Sequence, residues 1–208
     1  MHRFAEIAFT PTVQALQERD GSRAQYARLQ AEGGPNAVLT ARETGFLAQA
    51  DSFYLATVSE TGWPYVQHRG GPRGFLKLLS PQRLGFADFR GNRQFISAGN
   101  AARDDRAAMI VVDYVKRQRL KLLGRLRFRD VAEADPAHLR ALEAPAYRAR
   151  VERIVHFDVE AFDWNCPQHI TQRFTLEQVE ASAQPLRERI AELETQVRAL
   201  QQAGTIAP

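Results

Sequence analysis

The feature that most constrains the fold of this 208-residue chain is a clear alternation of apolar and basic residues over 119–131. One parity carries Leu120, Leu122, Leu126 and Phe128, and the other carries Arg119, Lys121, Arg125, Arg127 and Arg129. Successive side chains of a β-strand point to opposite faces of a sheet, so a period of two separates these two sets. The segment therefore predicts a long strand with one apolar face and one basic face.

Further segments with strand character surround this one at short spacing. They cover residues 53–59, 64–69, 75–79, 83–89, 107–115 and 151–162. The run 107–115 is almost entirely apolar, which predicts a strand that is buried on both faces. Six or more strands at this spacing, with helices between them, predict a mainly β protein: a β-barrel with flanking helices.

Capping patterns place the helices. Thr40 and Glu43 form a capping box that predicts a helix over 41–50, and the segment 136–143 is predicted to be a short helix. Residues 1–37 have weak periodicity and offer only one candidate helix, over 24–32. A second capping box begins at Thr175. We expect an N-terminal extension (1–37), a barrel domain (38–175) and a C-terminal helical tail (176–208).

The tail carries heptad spacing. Leu186, Ile190, Leu193, Val197 and Leu200 step by four, three, four and three residues. Pro185 is expected to restart the helix as its first residue, and Gly204 to end it. With β-branched residues at a and leucine at d, the pattern favours a parallel two-stranded coiled coil, in which Arg189 and Glu194 have suitable signs for an interchain pair. An amphipathic helix that lies on its own barrel is the alternative.

Composition narrows the class of protein. Hydrophobic residues make up 44% and charged residues 25% of the chain, which is ordinary for a globular protein. No apolar run approaches the ~20 residues of a membrane span, and the N-terminus does not resemble a secretory signal. The single cysteine, Cys166, excludes an intrachain disulfide and favours a cytoplasmic location. The net charge of +4 is compatible with nucleic acid or with one anionic cofactor.

A polar segment follows the apolar run that ends at Phe89. After Gly91 it carries Asn92, Arg93 and Gln94, with Ser97 one turn further on. Amide, guanidinium and hydroxyl groups within two turns suit an anion that also carries hydroxyl groups, such as a sugar phosphate. A polar turn that begins a surface helix is the alternative interpretation of this segment.

Three segments in order carry a family resemblance. The polar segment 91–100 is preceded by Trp-Pro-Tyr-Val-Gln-His-Arg-Gly-Gly-Pro-Arg-Gly-Phe-Leu-Lys at 63–77 and followed by Asp-Trp-Asn-Cys-Pro-Gln-His-Ile at 163–170. Together they resemble the pyridoxamine 5′-phosphate oxidase-like family of FMN-binding split barrels, over roughly residues 40–175. The resemblance is to a branch other than the pyridoxamine phosphate oxidases themselves, because the chain continues into the heptad helix instead of a strand that grips the substrate phosphate.

The resemblance implies a cofactor, FMN, and a set of residues that hold it at the interface of a homodimer. Gln67, His68 and Arg69 would border the flavin, and Lys77 would reach its phosphate. Asn92, Arg93, Gln94 and Ser97 would form the phosphate turn. Arg119 would reach the flavin of the partner subunit, and Trp164 and Asn165 would close the site. No catalytic residue is identified, and no metal site is expected, since no second ligand lies at suitable spacing from His68.

Three functions follow from these observations. The first is a homodimeric FMN-dependent oxidoreductase that acts on a small molecule, with a nicotinamide or an amine as possible donor. The second is a non-enzymatic protein that binds or senses flavin. The third is a basic nucleic-acid-binding barrel that uses the face at 117–129. That face lacks the interleaved aromatic residues that stack on bases, which argues against the third function.

Overall fold

A single seven-stranded antiparallel sheet contains most of the core in a computed structural model that describes residues 1–143 and 147–204. Its strands are β1 (Ser52–Val58), β2 (Pro64–Gly70), β3 (Lys77–Ser80), β4 (Arg83–Phe89), β5 (Arg106–Asp113), β6 (Gln118–Asp130) and β7 (Val151–Trp164). The seven strands lie in the order β2-β1-β5-β6-β7-β4-β3. The mainly β fold predicted from the strand spacing is confirmed.

Seven α-helices accompany the sheet in the part of the chain that the structure describes. They are α1 (Arg3–Ala8), α2 (Pro11–Arg19), α3 (Arg23–Glu32), α4 (Ala41–Leu47), α5 (Ile96–Arg103), α6 (Pro136–Leu142) and α7 (Leu176–Gly204). None of them combines the length and apolar character needed to cross a bilayer. The α6 segment confirms the helix predicted at 136–143.

The N-terminal segment contains more helix than its sequence pattern predicted. Three short helices occupy residues 3–32, where only 24–32 was expected to be helical. They are stabilised by contacts with residues distant in sequence: Ala5 is fully buried, and the rings of Phe9 and Tyr26 meet edge to face at 5.3 Å. Helices this short depend on tertiary packing more than on local propensity, so periodicity did not reveal them.

The alternating segment forms β6, as predicted. Leu120, Leu122 and Leu126 are at most 1% exposed and belong to the core, which also contains Phe53 and Phe157. The register between β6 and β7 shifts between Leu123 and Gly124. A Cβ atom on Gly124 would lie only 2.2 Å from the carbonyl oxygen of Asp158, so the close approach of the two strands requires glycine there.

The prediction that β5 is buried on both faces is wrong. Ala107, Met109 and Val111 are buried, whereas the residues between them remain half-buried. The apolar run is therefore a strand with one fully buried face, a distinction that composition alone does not make.

The first predicted capping box is present at the start of α4. The Thr40 hydroxyl accepts a hydrogen bond from the Arg42 amide at 3.3 Å, and the Thr40 amide donates to Glu43 Oε2 at 3.0 Å. The helix ends at Leu47, three residues before the predicted end, where the chain turns toward β1.

The chain divides into two compact units. One contains residues 1–113 and 117–168, and the other contains residues 114–116 together with the chain from His169 onward. In the second unit, α7 follows a capping box in which the Gln178 amide donates to the Thr175 hydroxyl at 3.2 Å. The helix continues through Pro185, so the predicted restart at that residue is wrong. The last four residues of the predicted tail, 205–208, lie outside the described residues.

Candidate functional site

A polar cleft of about 70 Å³ opens where β2, β4, β7 and the N-terminus of α5 meet. It brings together six residues of the predicted site, which are Gln67, Arg69, Asn92, Arg93, Gln94 and Ser97. It is further lined by Tyr65, Asp88, Phe89, Gly91, Phe95, Ile96, Ala98, Glu152 and Arg153.

A buried carboxylate organises two arginines of this cleft. Asp88 is 5% exposed, and its two oxygens accept from different guanidinium groups. Arg69 donates through Nη1 to Oδ1, while Arg153 donates through Nε to Oδ2 at 3.0 Å and also through Nη2. The register of the sheet places Asp88 directly opposite Arg153 in the β4–β7 ladder. The carboxylate therefore fixes both guanidinium groups at the wall of the cleft.

Arg69 retains an unused donor. Its Nε is buried and has no hydrogen-bond partner among residues 1–143 and 147–204. A buried donor without a partner is unfavourable, and more so when the group is charged. Arg69 therefore lines the cleft with a guanidinium group whose hydrogen-bonding capacity the described chain does not use in full.

The N-terminus of α5 also lines the cleft. Its N-cap residue, Phe95, is in the left-handed region with φ of 57° and gives no side-chain cap, and Arg93 has φ of 58°. The first backbone N–H groups of a helix have no partner within it, so an uncapped helix start can donate to an anion. The Asn92 side chain accepts from the Gln94 amide at 3.3 Å, which shapes the turn leading into the helix.

Two side-chain hydrogen bonds attach α5 to the sheet. The buried Ser97 hydroxyl donates to Gln67 Oε1 at 2.9 Å, and Asn100 Nδ2 donates to the Thr57 hydroxyl, also at 2.9 Å. Both bonds connect residues at least thirty positions apart in sequence. They hold the helix start at the cleft.

An aromatic ring lies among the cationic groups. The guanidinium carbon of Arg153 is 4.9 Å from the centre of the Phe95 ring, and that of Arg93 is 5.7 Å away. These distances are within the range of cation–π contacts. Within the described ranges, no carboxylate pairs with Arg93, so its charge is available to a ligand.

Two residues of the predicted site, His68 and Lys77, lie outside the cleft. His68 points to the face of β2 opposite Gln67 and Arg69, where it meets the ring of Tyr54 at 5.6 Å. Lys77 begins β3 and lines a separate groove beside α4. Neither residue lines the cleft.

The remaining three predicted residues form a cluster where β6 begins and β7 ends. Arg119 donates to the carbonyl oxygen of Cys166 at 3.4 Å, its Nε is buried without a partner in the described chain, and its own carbonyl accepts from the Asn165 amide. The Trp164 indole donates to Glu43 Oε1 at 2.7 Å. None of the three lines the cleft, and Trp164 lies eleven residues beyond Arg153 along β7.

Hydrogen bonds set the protonation of Glu43 in that cluster. Glu43 is 3% exposed, and burial by itself would raise its pKa. Donation from the Thr40 hydroxyl, the Trp164 indole and the Thr40 amide outweighs burial and lowers the pKa below its ordinary value. The carboxylate is therefore a structural anion that connects α4 to the end of β7.

The basic face of β6 is largely paired with acidic groups. Lys121 binds Asp163 at 2.8 Å, and Arg127 binds Asp158. Hydrogen bonds to Asp105 and Glu160 raise the pKa of Arg125 further above its already high value. Most of the positive charge that the alternating pattern predicted on this face is thus neutralised within the chain.

Sequence reasoning missed Asp88 and Arg153, which organise the cleft. Asp88 is the one acidic residue in the apolar run 84–89, a weak signal that could have drawn attention. Arg153 gave no local signal, because its role arises from pairing with a strand 65 residues away. Among the residues that the structure describes, no three His, Cys, Asp or Glu side chains cluster as a metal site would require.

Solved structures similar to the chain share low sequence identity with it. HupZ of Group A Streptococcus is 15% identical, with a TM-score of 0.48 over 65% of this chain and 100% of that one. An FMN-binding protein of Syntrophomonas wolfei is 12% identical, with a TM-score of 0.46 over 72% and 97%. A Clostridium acetobutylicum protein related to general stress protein 26 is 13% identical, with a TM-score of 0.43 over 66% and 94%.

The comparison by sequence is more decisive. No curated protein matches the chain. The sequence pattern of the pyridoxamine 5′-phosphate oxidase family matches residues 39–164, which is more than half of the chain and extends from α4 to the end of β7. The match spans all seven strands and confirms the predicted split-barrel fold. The chain therefore belongs to the pyridoxamine 5′-phosphate oxidase family.

Proposed function

We propose that the cleft binds FMN by its phosphate and that the protein is a homodimeric, FMN-dependent oxidoreductase. The observation that carries the proposal is the set of donors around one cleft: Arg69 and Arg153 held by Asp88, Arg93, which has no carboxylate partner among the described residues, and the uncapped start of α5. Membership of the pyridoxamine 5′-phosphate oxidase family supports the same assignment.

The residues present suit a phosphate monoester. Arg69 and Arg153 are oriented by Asp88, so their positions are fixed before a ligand binds. Arg93 adds a guanidinium from the turn, and the backbone N–H groups at the start of α5 add uncharged donors. Gln67 and Ser97 offer hydrogen bonds to the hydroxyl groups of a ribityl chain.

The same geometry favours FMN over FAD. FMN ends in a phosphate that the arginines and the helix start can surround. In FAD that phosphate carries AMP, which would crowd the turn at 92–95. We therefore expect the protein to bind FMN and to bind FAD far more weakly.

The chain's own residues bind and orient the cofactor. When bound, the isoalloxazine ring supplies the hydride and electron chemistry. We identify no general acid or base for a substrate, and we expect the small-molecule substrate, with a nicotinamide or an amine as donor, to bind beside the ring. A protein that binds flavin without turnover is the alternative.

A second subunit would complete the site. Arg119, Trp164 and Asn165 lie at the end of β7 distant from the cleft, so within one chain they do not join the phosphate-binding residues. We assign them to the flavin held by the partner subunit, where the guanidinium of Arg119 would stabilise negative charge on the reduced ring. We further place the protein in the cytoplasm, where its single cysteine would stay reduced.

The neutralised face of β6 favours this proposal over nucleic-acid binding. A nucleic-acid surface uses free lysines and arginines to replace the counterions of phosphates. On β6 the charges of Lys121, Arg125 and Arg127 already have carboxylate partners.

Titration calorimetry of the flavin-free protein with FMN and FAD tests the proposal. Arg93→Ala should weaken FMN binding by about 1.5–3 kcal/mol, the scale of a charge-assisted hydrogen bond. The control is Arg103→Ala, since Arg103 is exposed at the opposite end of the same helix and should leave affinity unchanged. Equal affinity for FMN and FAD, or equal behaviour of the two variants, would move the phosphate site elsewhere.

Anaerobic mixing of the FMN-loaded protein with NADH or NADPH separates enzyme from binding protein. Loss of the flavin absorbance, followed by its return on admission of oxygen, is expected for the oxidoreductase. A spectrum that stays oxidised with every nicotinamide and amine donor tried would favour the non-enzymatic alternative.

A further inference from the structure

An apolar stripe runs along the whole of α7 and faces solvent. The heptad identified at residues 186–200 extends back to the first turn of the helix, because the structure shows one uninterrupted helix from Leu176 to Gly204. Position a is occupied by Leu176, Ala183, Ile190 and Val197, and position d by Val179, Leu186, Leu193 and Leu200. The large apolar residues among them are between 42% and 73% exposed.

Pro185 does not interrupt this stripe. It occupies position c of the heptad, on the outer side of the helix, so its ring would not enter an a/d seam. A helix of 29 residues is about 43 Å long and offers close to four heptads. Such a helix is stabilised in water mainly by packing of its apolar face, and the large apolar residues of this face are at least 42% exposed.

We propose that a second copy of this chain covers the stripe, with the two α7 helices paired as a parallel, in-register coiled coil. The central a positions are the β-branched Ile190 and Val197, and three successive d positions are leucine. This distribution is the one that specifies two parallel strands. The inference goes beyond the proposed flavin site, because α7 lies outside the residues matched to the family.

Charge at the edges of the stripe agrees with the parallel arrangement. In a parallel pair, position g of one helix lies beside the following position e of the other, so Arg189 meets Glu194 of the partner helix twice per dimer. Arg189 now binds Glu192 of its own helix at 2.8 Å, an exposed contact that is readily exchanged. Within the described part of the chain, Glu194 has no ion-pair partner.

Disulfide cross-linking of the full-length chain tests pairing and direction. In a Cys166→Ser background, cysteine is introduced separately at two d positions, Leu186→Cys and Leu200→Cys, and at the outer position f as the control, Thr195→Cys. A parallel, in-register pair places each d residue opposite its counterpart, so both d variants should form a covalent dimer of twice 23.5 kDa under mild oxidation. The control should remain monomeric on a denaturing gel.

Each other outcome overturns the proposal. Cross-linking at only one d position indicates an antiparallel pair centred near that position. Cross-linking at neither indicates a shifted pair, an antiparallel pair centred elsewhere, or a stripe covered otherwise, for example by its own chain, and equal cross-linking at Thr195→Cys indicates contacts that do not depend on the stripe. Flavin affinity of the reduced variants, measured separately, shows whether the flavin site is intact, so the two proposals fail independently.

A charge exchange checks the register without adding cysteines. Arg189→Glu alone and Glu194→Arg alone each place like charges side by side, and each should weaken self-association roughly fivefold in sedimentation experiments at low salt. The double exchange should restore the original dissociation constant. A double variant that behaves as the product of the two single ones would refute the Arg189–Glu194 contact and with it the register.

Discussion

Replacement of Asp88 by asparagine should destabilise the protein more than any other change of a single charge in the cleft. The carboxylate is 5% exposed, and the side chains of its partners, Arg69 and Arg153, are each 18% exposed. Asp88→Asn keeps the size of the side chain but removes the only charge that the two guanidinium groups share. Two partly buried cations would then lie close together without a carboxylate partner among the described residues.

The expected loss can be worked out from this geometry. Removal of one partner of a buried ion pair costs about 3–5 kcal/mol. The lower end applies, because the arginines keep some contact with water and the asparagine oxygen can still accept one hydrogen bond. For a chain of 208 residues, a loss of about 3 kcal/mol corresponds to a decrease in melting temperature of roughly 7 °C.

Calorimetric melting of both proteins at one concentration and pH 7 measures this loss. The matched control is Asp104→Asn, which breaks an exposed pair with Arg106 and should leave the melting temperature almost unchanged. Inorganic phosphate should stabilise Asp88→Asn more than the original protein, since the anion restores negative charge beside the arginines. Equal melting temperatures for the two variants would refute the reasoning that Asp88 supports a cationic cleft.

Two further changes test the sheet and the α4 cluster. Gly124→Ala should destabilise the protein, because the new methyl group would lie 2.2 Å from the Asp158 carbonyl oxygen. Gly99→Ala, in open space on α5, should instead stabilise it by about 0.5–1 kcal/mol. Urea unfolding of both variants measures the two changes in the free energy of unfolding. The stabilisation from Glu43 should be complete above its ordinary pKa of about 4.3 and should decrease as the pH falls through the lower folded value. Urea unfolding of Glu43→Gln at pH 7 and at pH 3.5 should therefore show a difference from the original protein that shrinks at the lower pH; a constant difference would contradict it.

Local patterns in the sequence determined much of this protein. The alternation at 119–131 specified β6, because a period of two is the period of a strand. Only one of its two faces is apolar, so that face must be the buried one. The capping boxes at Thr40 and Thr175 specified two helix starts, because all their hydrogen bonds lie within four residues. The segment 91–97 revealed half of the cleft, because its donors are adjacent in sequence. These features depend on neighbours along the chain.

The tertiary structure decided what depends on partners far along the chain. Asp88 meets Arg69 and Arg153 although β2 lies at one edge of the sheet and β4 lies next to the opposite edge strand, and no local pattern contains that information. The three N-terminal helices likewise depend on packing. Side-chain alternation along β2 placed His68 on the face opposite Gln67 and Arg69. Lys77, at the start of β3, lines another groove. Local sequence thus determined the strands, two of the helix starts and the hydrogen-bond donors of the segment 91–97. Long-range packing decided which donors share one cleft, because the ion pairs that organise the cleft connect residues 19 and 65 positions apart.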